Sequence, residues 1–367
     1  MFIVISGVNL VEGGTLKVFR DALITLDKNT SPEDTVYALV HKKELFNDLV
    51  FDNITFIEYP DIKKSWLKRL YFELVTCKGL SKKWGADVWL AMHDITPNVA
   101  VKKQFVYCHN CSTVYKSNFK DFLYEPKFFL FSKFYNLLYK INIKKNDAII
   151  VQQRWFGEYL KNHVGAERYI VSRPISPVVN DTKPSFSPEH TVNLFYPALP
   201  RTFKNFELLL DALSLFNEKS PAHKGKLTLT LTFSEDTNKF SKYIIDKYKH
   251  VEGVNFTGLL NFAQVEQAYN QCDVVIFPSL LETWGLPISE AKMHAKPIIL
   301  ADLPYAHETL GNYECAAFID PYSAEDLANL FVDLMDGKPV FNEVNLKKDD
   351  EFYDWDKTIK HLLTTNN

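Results

Sequence analysis

The sequence has no run of eighteen apolar residues, so nothing in its 367 residues predicts a helix that crosses a membrane. The N-terminus, MFIVISG, lacks the basic residues and small-residue cleavage site of a secretion signal, and it predicts a first strand instead. Five cysteines, an odd number, do not suggest a disulfide framework and fit a reducing compartment. Together these absences predict a cytoplasmic protein.

Several chemical signatures are also missing. The dinucleotide fingerprint G-x-G-x-x-G does not occur, and no Ser-His-Asp or Cys-His arrangement predicts a catalytic nucleophile. Cys108-His-Asn-Cys111 has the C-x-x-C spacing, but no second Cys/His pair accompanies it to complete a zinc site. There is no internal repeat, low-complexity segment or recognised nucleic-acid module, so a nucleic-acid partner is not predicted.

What the sequence does contain is an alternation of buried strands and amphipathic helices. An apolar content of 46% and a charged content of 24% are ordinary for a globular chain of this length, which is long enough for two domains. Prolines cluster between Ser172 and Pro188 and predict a linker. We therefore predict an α/β chain with doubly wound parallel sheets and domains at residues 1–175 and 190–350. The predicted strands are Phe2–Ser6, Thr35–His41, Ile54–Glu58, Asp87–Met92, Phe105–Cys108, Asp147–Gln152, Val192–Tyr196, Leu227–Phe233, Asp273–Phe277 and Ile298–Ala301.

The net charge of −3 conceals an asymmetry between the two halves. Residues 1–180 carry 25 Lys and Arg against 18 Asp and Glu, whereas the remainder carries 17 against 27. A basic first half indicates an anionic partner, such as a membrane surface or a phosphate-bearing acceptor. Scatter in composition explains the same numbers, and charge counts alone leave both explanations open.

The stretch Asp273–Leu300 carries the strongest functional signal. A buried strand is followed by a loop that contains Gly285, a helix that begins at Pro287, and a second buried strand. The unpaired N–H groups at such a helix start attract phosphate. Two carboxylates, Glu282 and Glu290, bracket this loop and can accept hydrogen bonds from sugar or ribose hydroxyls.

The run FPSLLETWGLPISEA, with seven residues between Glu282 and Glu290, resembles the E-x7-E element of retaining GT-B glycosyltransferases, family 4 in particular. This resemblance implies a GT-B fold, in which two Rossmann-like domains face a cleft. It also implies that the second domain binds the donor and the first the acceptor, and that a C-terminal helix at about residues 352–367 crosses back onto the first domain. Glu282 would then orient the donor sugar, and Glu290 would accept both ribose hydroxyls.

The same resemblance extends to the donor's phosphates. Lys204-Asn205 matches the family's phosphate-binding loop, whereas Arg201 stands at a shifted position; both are implied to bind the distal phosphate. Thr283 and the amides of Gly285 and Leu286 would face the diphosphate. Considered alone, cations before a helix can equally be a solvated surface pair.

Three further elements gain a role only through the resemblance. Gly13-Gly14 would form the loop that faces donor diphosphate and acceptor, and the backbone at Gly258-Leu259 would meet the base. His109, in YCHN at the end of a strand, would contact the sugar near the reacting face. From the residues alone, a glycine pair is more often a turn, and a histidine at a strand end can be a packed loop residue.

The activity implied is that of a retaining, metal-independent hexosyltransferase in O-antigen or capsule assembly. The donor would be a UDP- or GDP-sugar and the acceptor an oligosaccharide or a polyprenyl-linked saccharide. Asp354-Trp-Asp356 imitates a D-x-D metal motif, but its place in a C-terminal helix predicts a structural role, so no metal or other cofactor is expected. A catalytically silent nucleotide-sugar-binding subunit, or a GT-B epimerase or phosphorylase, stays open.

The segment 113–146 interleaves seven lysines with aromatic and leucine residues, and 62–84 is a second basic, apolar stretch. Such a pattern predicts either a helix that lies on an anionic bilayer or a core-facing helix with a solvated back. The first alternative predicts peripheral attachment to the inner face of the cell membrane.

Overall fold

The computed structural model describes residues 1–174, 184, 186, 191–345 and 352–364, which form two units. The described parts of the first unit are residues 1–113, 134–174 and 352–364; those of the second are residues 114–133 and 191–345, with 184 and 186. Most of the predicted proline-rich linker lies outside the described residues.

The strands are numbered along the whole chain. They are β1 (Phe2–Gly7), β2 (Thr35–Val40), β3 (Ile54–Glu58), β4 (Val88–Ala91), β5 (Lys103–Cys108), β6 (Ala148–Val151), β7 (Tyr169–Ser172), β8 (Val192–Tyr196), β9 (Leu227–Leu231), β10 (Val254–Phe256), β11 (Val274–Phe277), β12 (Ile298–Ala301), β13 (Tyr313–Ile319), β14 (Asn342–Val344) and β15 (Phe352–Tyr353).

The α-helices follow the same convention. They are α1 (Gly13–Lys28), α2 (Trp66–Tyr71), α3 (Cys77–Trp84), α4 (Phe119–Tyr124), α5 (Pro126–Lys140), α6 (Arg154–Val164), α7 (Phe206–Lys219), α8 (Lys239–Tyr248), α9 (Phe262–Gln271), α10 (Leu286–Met293), α11 (Pro304–Leu310), α12 (Ala324–Met335) and α13 (Trp355–Leu363). No helix within the described part of the chain has the length and apolarity needed to span a bilayer.

In each unit the helices accompany one central sheet. The first sheet has the order β15-β7-β6-β5-β4-β1-β2-β3, and all its pairings are parallel. The second has the order β10-β9-β8-β11-β12-β13-β14, and only β13 and β14 pair antiparallel. Strands β4, β6, β11 and β12 are buried along their whole length, as expected of parallel strands covered on both faces. The predicted doubly wound sheets are therefore present in both units.

The C-terminal helix α13 completes the core of the first unit. Trp355, Ile359 and Leu362 are almost fully buried in the same apolar cluster as Leu23 and Leu26 of α1. The spacing of these three residues places them on one face of α13. A segment at the end of the sequence thus closes the domain at its beginning.

Residues 114–133 belong to the second unit, whereas the sequence grouped them with residues 1–175. Contacts with distant positions explain why this segment belongs to the second unit, and no local sequence pattern predicts them. Lys120 forms an ion pair with Glu207 at 2.8 Å, and the ring of Phe128 lies 4.9 Å from that of Phe203.

Candidate active site

The loops after β8 and β11 come together where the strand order of the second sheet reverses. These two strands are parallel neighbours, and the chain leaves them in opposite directions across the sheet. In doubly wound sheets, ligands bind beyond the carboxyl ends of strands at such a switch point. The loop after β8 carries Lys204, and the loop after β11 carries Glu282.

Lys204 and Glu282 form an ion pair at this point, between Nζ and Oε1. Their side chains are only 14% and 16% exposed, and Lys204 Nζ also lies 5.1 Å from the ring centre of Phe277 at the end of β11. The two loops are joined by their backbones, because the N–H of Leu280 donates to the carbonyl of Phe203 at 2.8 Å. The structure therefore brings together two residues that the sequence assigned to one donor.

The start of α10 lies a few residues beyond Glu282. Gly285 caps this helix with a φ of 82°, in the left-handed region that glycine tolerates best. A Cβ at this position would lie 3.2 Å from Ile288 Cδ1 and 3.3 Å from Phe277 Cε1, so space and conformation both favour glycine. The helix begins at Leu286, one residue before the predicted start at Pro287. Pro287 has no N–H, and the N–H of Ile288 donates to the carbonyl of Gly285 at 2.9 Å, so the amides of Gly285 and Leu286 are the ones that can face an anion at this helix start.

Glu290 occupies the same helix and has a partner that the sequence did not predict. The hydroxyl of Tyr269, from α9, donates to Glu290 Oε2 at 2.6 Å. Burial, with the Glu290 charge beside it, raises the pKa of Tyr269, so this hydroxyl is a donor across the physiological range. The imidazole of His294 stacks on the Tyr269 ring at 4.9 Å. One carboxylate oxygen of Glu290 is thereby fixed in direction.

Arg201 has a different partner from Lys204. Its Nε donates to Glu125, and its guanidinium lies 5.3 Å from the ring centre of Phe203. The contact with Glu125 was not predicted, because the two residues are 76 positions apart in the sequence. The implied role of Arg201 on the distal phosphate stays a prediction, as do those of the other site residues.

The remaining donor-side residues lie where strands end or helices begin. Gly258 follows β10 with a φ of 76°, and the side chain of Leu259 after it is 63% exposed. Thr283 lies in the loop between β11 and α10. In the first unit, Gly13 and Gly14 open α1 beyond the end of β1, and no atom lies within 4 Å of a Cβ built on either residue.

His109, at the end of β5, is held by a buried carboxylate of the first unit. Asp94 Oδ1 accepts from the N–H of His109 at 2.7 Å and of Asn110 at 3.1 Å, and it lies 3.4 Å from His109 Nδ1. The hydroxyls of Tyr135 and Tyr139, one turn apart on α5, also donate to this carboxylate, each at 2.9 Å. Asp94 itself has a φ of 69°, which is uncommon for a residue other than glycine.

The charge of Asp94 is maintained by these contacts. Burial alone would raise the pKa of the carboxyl, but His109, the two backbone N–H groups and Arg69 hold that pKa below its usual value. An ionised Asp94 accepts hydrogen bonds only, which matches its donors. The sequence placed His109 at the end of a strand, but nothing in it indicated the two tyrosines.

The neighbouring His93 belongs to a second buried cluster. Its Nε2 lies 3.3 Å from Glu73 Oε1 and 3.3 Å from Ser6 Oγ, and all three side chains are inaccessible to solvent. Burial raises the pKa of Glu73 to about 8 and lowers the pKa of His93 to about 3. At neutral pH both groups are therefore uncharged, so their contact is not an ion pair, and Glu73 Oε1 has no hydrogen-bond partner among the described residues. Glu73 lies in a π-helical turn, Phe72–Thr76.

The C-x-x-C and D-x-D motifs, for which the sequence predicts no metal site, lie in buried positions and at the start of a helix, respectively. Cys108 and Cys111 are both buried, and burial raises the pKa of the Cys108 thiol. Asp354 caps α13 by accepting from the N–H of Lys357, and Asp356 accepts from Asn29 Nδ2 at 2.9 Å. Among the described residues, no group of three or more His, Cys, Asp or Glu side chains is arranged to hold a metal ion.

Comparison with known proteins gives a family match for part of the chain. Residues 180–348 match the family model of glycosyl transferases group 1. The O-antigen chain mannosyltransferase RfbU of Salmonella typhimurium is 20% identical over 201 residues, which are 54% of this chain and 54% of that protein. The chain thus matches about half the length of this curated relative.

Two solved structures resemble nearly the whole chain. The apo form of the lipopolysaccharide outer core galactosyltransferase WaaB superposes with a TM-score of 0.60 and 14% identity, over 99% of this chain and 94% of that one. HepE of Anabaena, in complex with UDP and glucose, has a TM-score of 0.59 and 16% identity, over 92% and 91%. The predicted fold class is confirmed as GT-B, and residues 180–348 match the family model of glycosyl transferases group 1.

Proposed function

We propose that this chain is a retaining hexosyltransferase that moves a sugar from a nucleoside diphosphate to a saccharide or lipid-linked acceptor in O-antigen or capsule assembly. The observation that carries the proposal is the Lys204–Glu282 pair beside the start of α10, inside the matched domain. The names of the relatives support it, since they act on O-antigen and lipopolysaccharide, and one was solved with UDP and glucose.

The reaction breaks the bond between the anomeric carbon and a diphosphate oxygen. Negative charge develops on the departing phosphate, so a cation and oriented N–H groups there stabilise the transition state. Lys204 and the amides of Gly285 and Leu286 would supply both. A diphosphate that binds Lys204 releases Glu282 to accept hydrogen bonds from the sugar hydroxyls, so this residue pair would bind both the diphosphate and the sugar.

Retention follows if the acceptor attacks from the face that the leaving group vacates. The departing phosphate oxygen then takes the proton of the acceptor hydroxyl as the new glycosidic bond forms, and a separate general base is unnecessary. We further propose that no metal ion takes part, because Lys204 and the α10 amides would perform the charge neutralisation that a metal provides elsewhere. Glu290 would bind the ribose with the oxygen that Tyr269 leaves available.

The test is turnover with a panel of UDP-, GDP- and dTDP-sugars, read as nucleoside diphosphate release with and without lipid extract. Lys204→Ala and Glu282→Ala should each lower kcat/KM at least about a hundredfold, on the order of 3 kcal/mol in transition-state binding. Lys219→Ala is the matched control, because Lys219 pairs with Glu325 on the surface of the same unit. Near wild-type turnover in either site variant would refute the assignment. Binding of sugar nucleotide by a chain that never releases diphosphate would favour a silent binding subunit.

The helices α4 and α5 offer the surface for an anionic membrane. Helix α5 exposes Leu130, Phe134 and Leu137, which are 50–61% accessible and spaced three or four residues apart. Phe119, Phe122 and Leu123 of α4 are also exposed. The exposed lysines of this segment are Lys116, Lys127, Lys133, Lys140, Lys144 and Lys145. Its two carboxylates are occupied within the protein, Asp121 in the capping box of α4 and Glu125 with Arg201.

We propose that this lysine-edged apolar surface binds the inner face of the cell membrane, where a lipid-linked acceptor would be presented. Co-sedimentation with vesicles containing phosphatidylglycerol, compared with vesicles of phosphatidylcholine alone, tests it. Reversing Lys127, Lys133 and Lys140 to Glu should weaken binding to the anionic vesicles at least about tenfold. Reversing Lys239, Lys242 and Lys247 on the exposed side of α8 is the matched control. Equal binding to both vesicle types would contradict the proposal.

A further inference from the structure

Glu125, from the segment 114–133, reaches the turn that carries Lys204. Its Oε2 accepts from the N–H of Thr202 at 2.6 Å and from the hydroxyl of Thr202 at 2.9 Å, and its Oε1 accepts from Arg201 Nε. The Glu125 side chain is only 12% exposed. A largely buried carboxylate with three donors, one of them charged, is a strong and directional anchor.

The segment that presents Glu125 is itself fixed on the second unit. The Tyr124 ring packs against Phe240 and Tyr243 at 5.5 and 5.1 Å. Lys120 pairs with Glu207, and Phe128 packs against Phe203. These contacts lie on both sides of Glu125 in the sequence, so its carboxylate has little freedom to move away from the turn.

The turn transmits this anchor to Lys204. Residues Thr202–Lys204 form a 3₁₀ turn, in which the N–H of Lys204 donates to the carbonyl of Arg201 at 3.0 Å. At the other end, the carbonyl of Lys204 accepts from the hydroxyl of Tyr196 at 2.8 Å. Glu125 therefore holds the beginning of a short turn whose end points Lys204 at Glu282.

We propose that Glu125 is a positioning residue for donor binding: it fixes the turn that places Lys204 against the donor's diphosphate, and it engages Arg201 so that this arginine anchors the turn rather than binding phosphate. The inference rests on the proposed function, because it needs Lys204 to be a diphosphate ligand. It gives a residue of the sequence's first half a part in the donor site of the second unit.

The experiment measures binding of UDP and GDP by calorimetry, and steady-state kinetics with the sugar nucleotide that turns over. Glu125→Ala should weaken binding of the preferred nucleoside diphosphate about tenfold and lower kcat/KM for the donor by a similar factor, with the acceptor KM unchanged within about twofold. Glu125→Gln keeps an acceptor for the Thr202 N–H but loses its charge, so an effect of about threefold is expected. Lys219→Ala is the matched control, because it breaks an ion pair of the same unit, with Glu325, that lies outside the segment 114–133.

If Glu125 acts through Lys204, the effects of substituting the two residues on nucleotide binding should not be additive. In a Lys204→Met background, Glu125→Ala should cost no more than about twofold, since the group that Glu125 positions is gone. Additive losses would overturn the proposal, as would unchanged or tighter nucleotide binding by Glu125→Ala, which would make the released Arg201 a phosphate ligand. If Glu125→Ala does not fold, the same comparison is made with Glu125→Gln. Wild-type binding by Lys204→Met would instead refute the proposed function itself.

Discussion

At the residue scale, the hydrogen bond from Tyr269 to Glu290 bears on the proposed ribose site, because it fixes one oxygen of the Glu290 carboxylate. Without the hydroxyl, Glu290 would keep its charge but lose its fixed direction. We expect Tyr269→Phe to weaken binding of the nucleoside diphosphate about fivefold to tenfold, because one charge-assisted hydrogen bond no longer orients the carboxylate. Calorimetry checks this, with Tyr248→Phe as the control, since Tyr248 donates to Asp211 in the same unit. Equal effects of the two variants would indicate a general loss of stability.

A second prediction at this scale concerns pH. The pKa of Glu73 is about 8 in the folded protein, above the value near 4.3 of an unfolded chain, so the folded state keeps a proton that the unfolded state loses. Its contribution to stability therefore decreases as the pH rises towards 8. His93, with a folded pKa of about 3, has the opposite effect: its contribution to stability increases as the pH rises to about 6.5.

Between about pH 6.5 and 8, Glu73 still lowers the free energy of unfolding as the pH rises, and His93 no longer opposes this decrease. We expect the wild-type protein to lose about 1–2 kcal/mol of unfolding free energy relative to Glu73→Gln over this interval. Urea unfolding of both proteins at pH 6.5, 7.2 and 8.0 measures the difference. Parallel curves would show that Glu73 is ionised throughout. The other groups at this cluster, Arg69, Cys77 and Ser6, are common to both proteins.

At the element scale, α13 illustrates how a terminal helix is held. Trp355 is 2% exposed and packs in the first unit's core, with its ring 5.7 Å from that of Tyr107. We expect Trp355→Ala to cost about 3–5 kcal/mol of unfolding free energy, through lost burial and a cavity. Denaturant unfolding tests this, with Lys357→Ala on the exposed side of α13 as the control. A loss below about 1 kcal/mol would mean that α13 detaches at little cost.

The strands and the loop from β11 to α10 were accessible to prediction because they depend on local order. A buried β-branched run, a glycine that permits a left-handed φ, and a proline in the first turn are all properties of neighbouring residues. The roles of Glu282, Glu290 and Lys204 came from the resemblance of these stretches to a glycosyltransferase family and stay predictions. The partners of those residues could not be predicted from local order. Glu125 and Tyr269 meet their partners across 76 and 21 positions, and the choice among many carboxylates and hydroxyls is made only when the sheets have formed.

At the scale of the whole molecule, two features escaped the sequence. Segment 114–133 is polar and aromatic in a way that suits either unit, so composition could not assign it to the second. Lys204 and Glu282 were each expected on the donor, and they also pair with each other, because leaving either charge alone at low exposure is costly. Both outcomes depend on tertiary neighbours rather than on pattern.

The placement of segment 114–133 also bears on engineering. The simplest exchange of the second half of this chain would use one cut at the linker near residue 175. If the residues after 175 were replaced by those of another protein, the turn at Lys204 would come from that protein. The segment with Glu125 would still come from this chain, and the two would not be matched. A chimaera that exchanges the whole second unit must also include residues 114–133. It therefore needs junctions at 113/114 and 133/134 in addition to those near 175 and 348. A single crossover near residue 175 would therefore separate segment 114–133 from the turn that it supports in the proposed donor site.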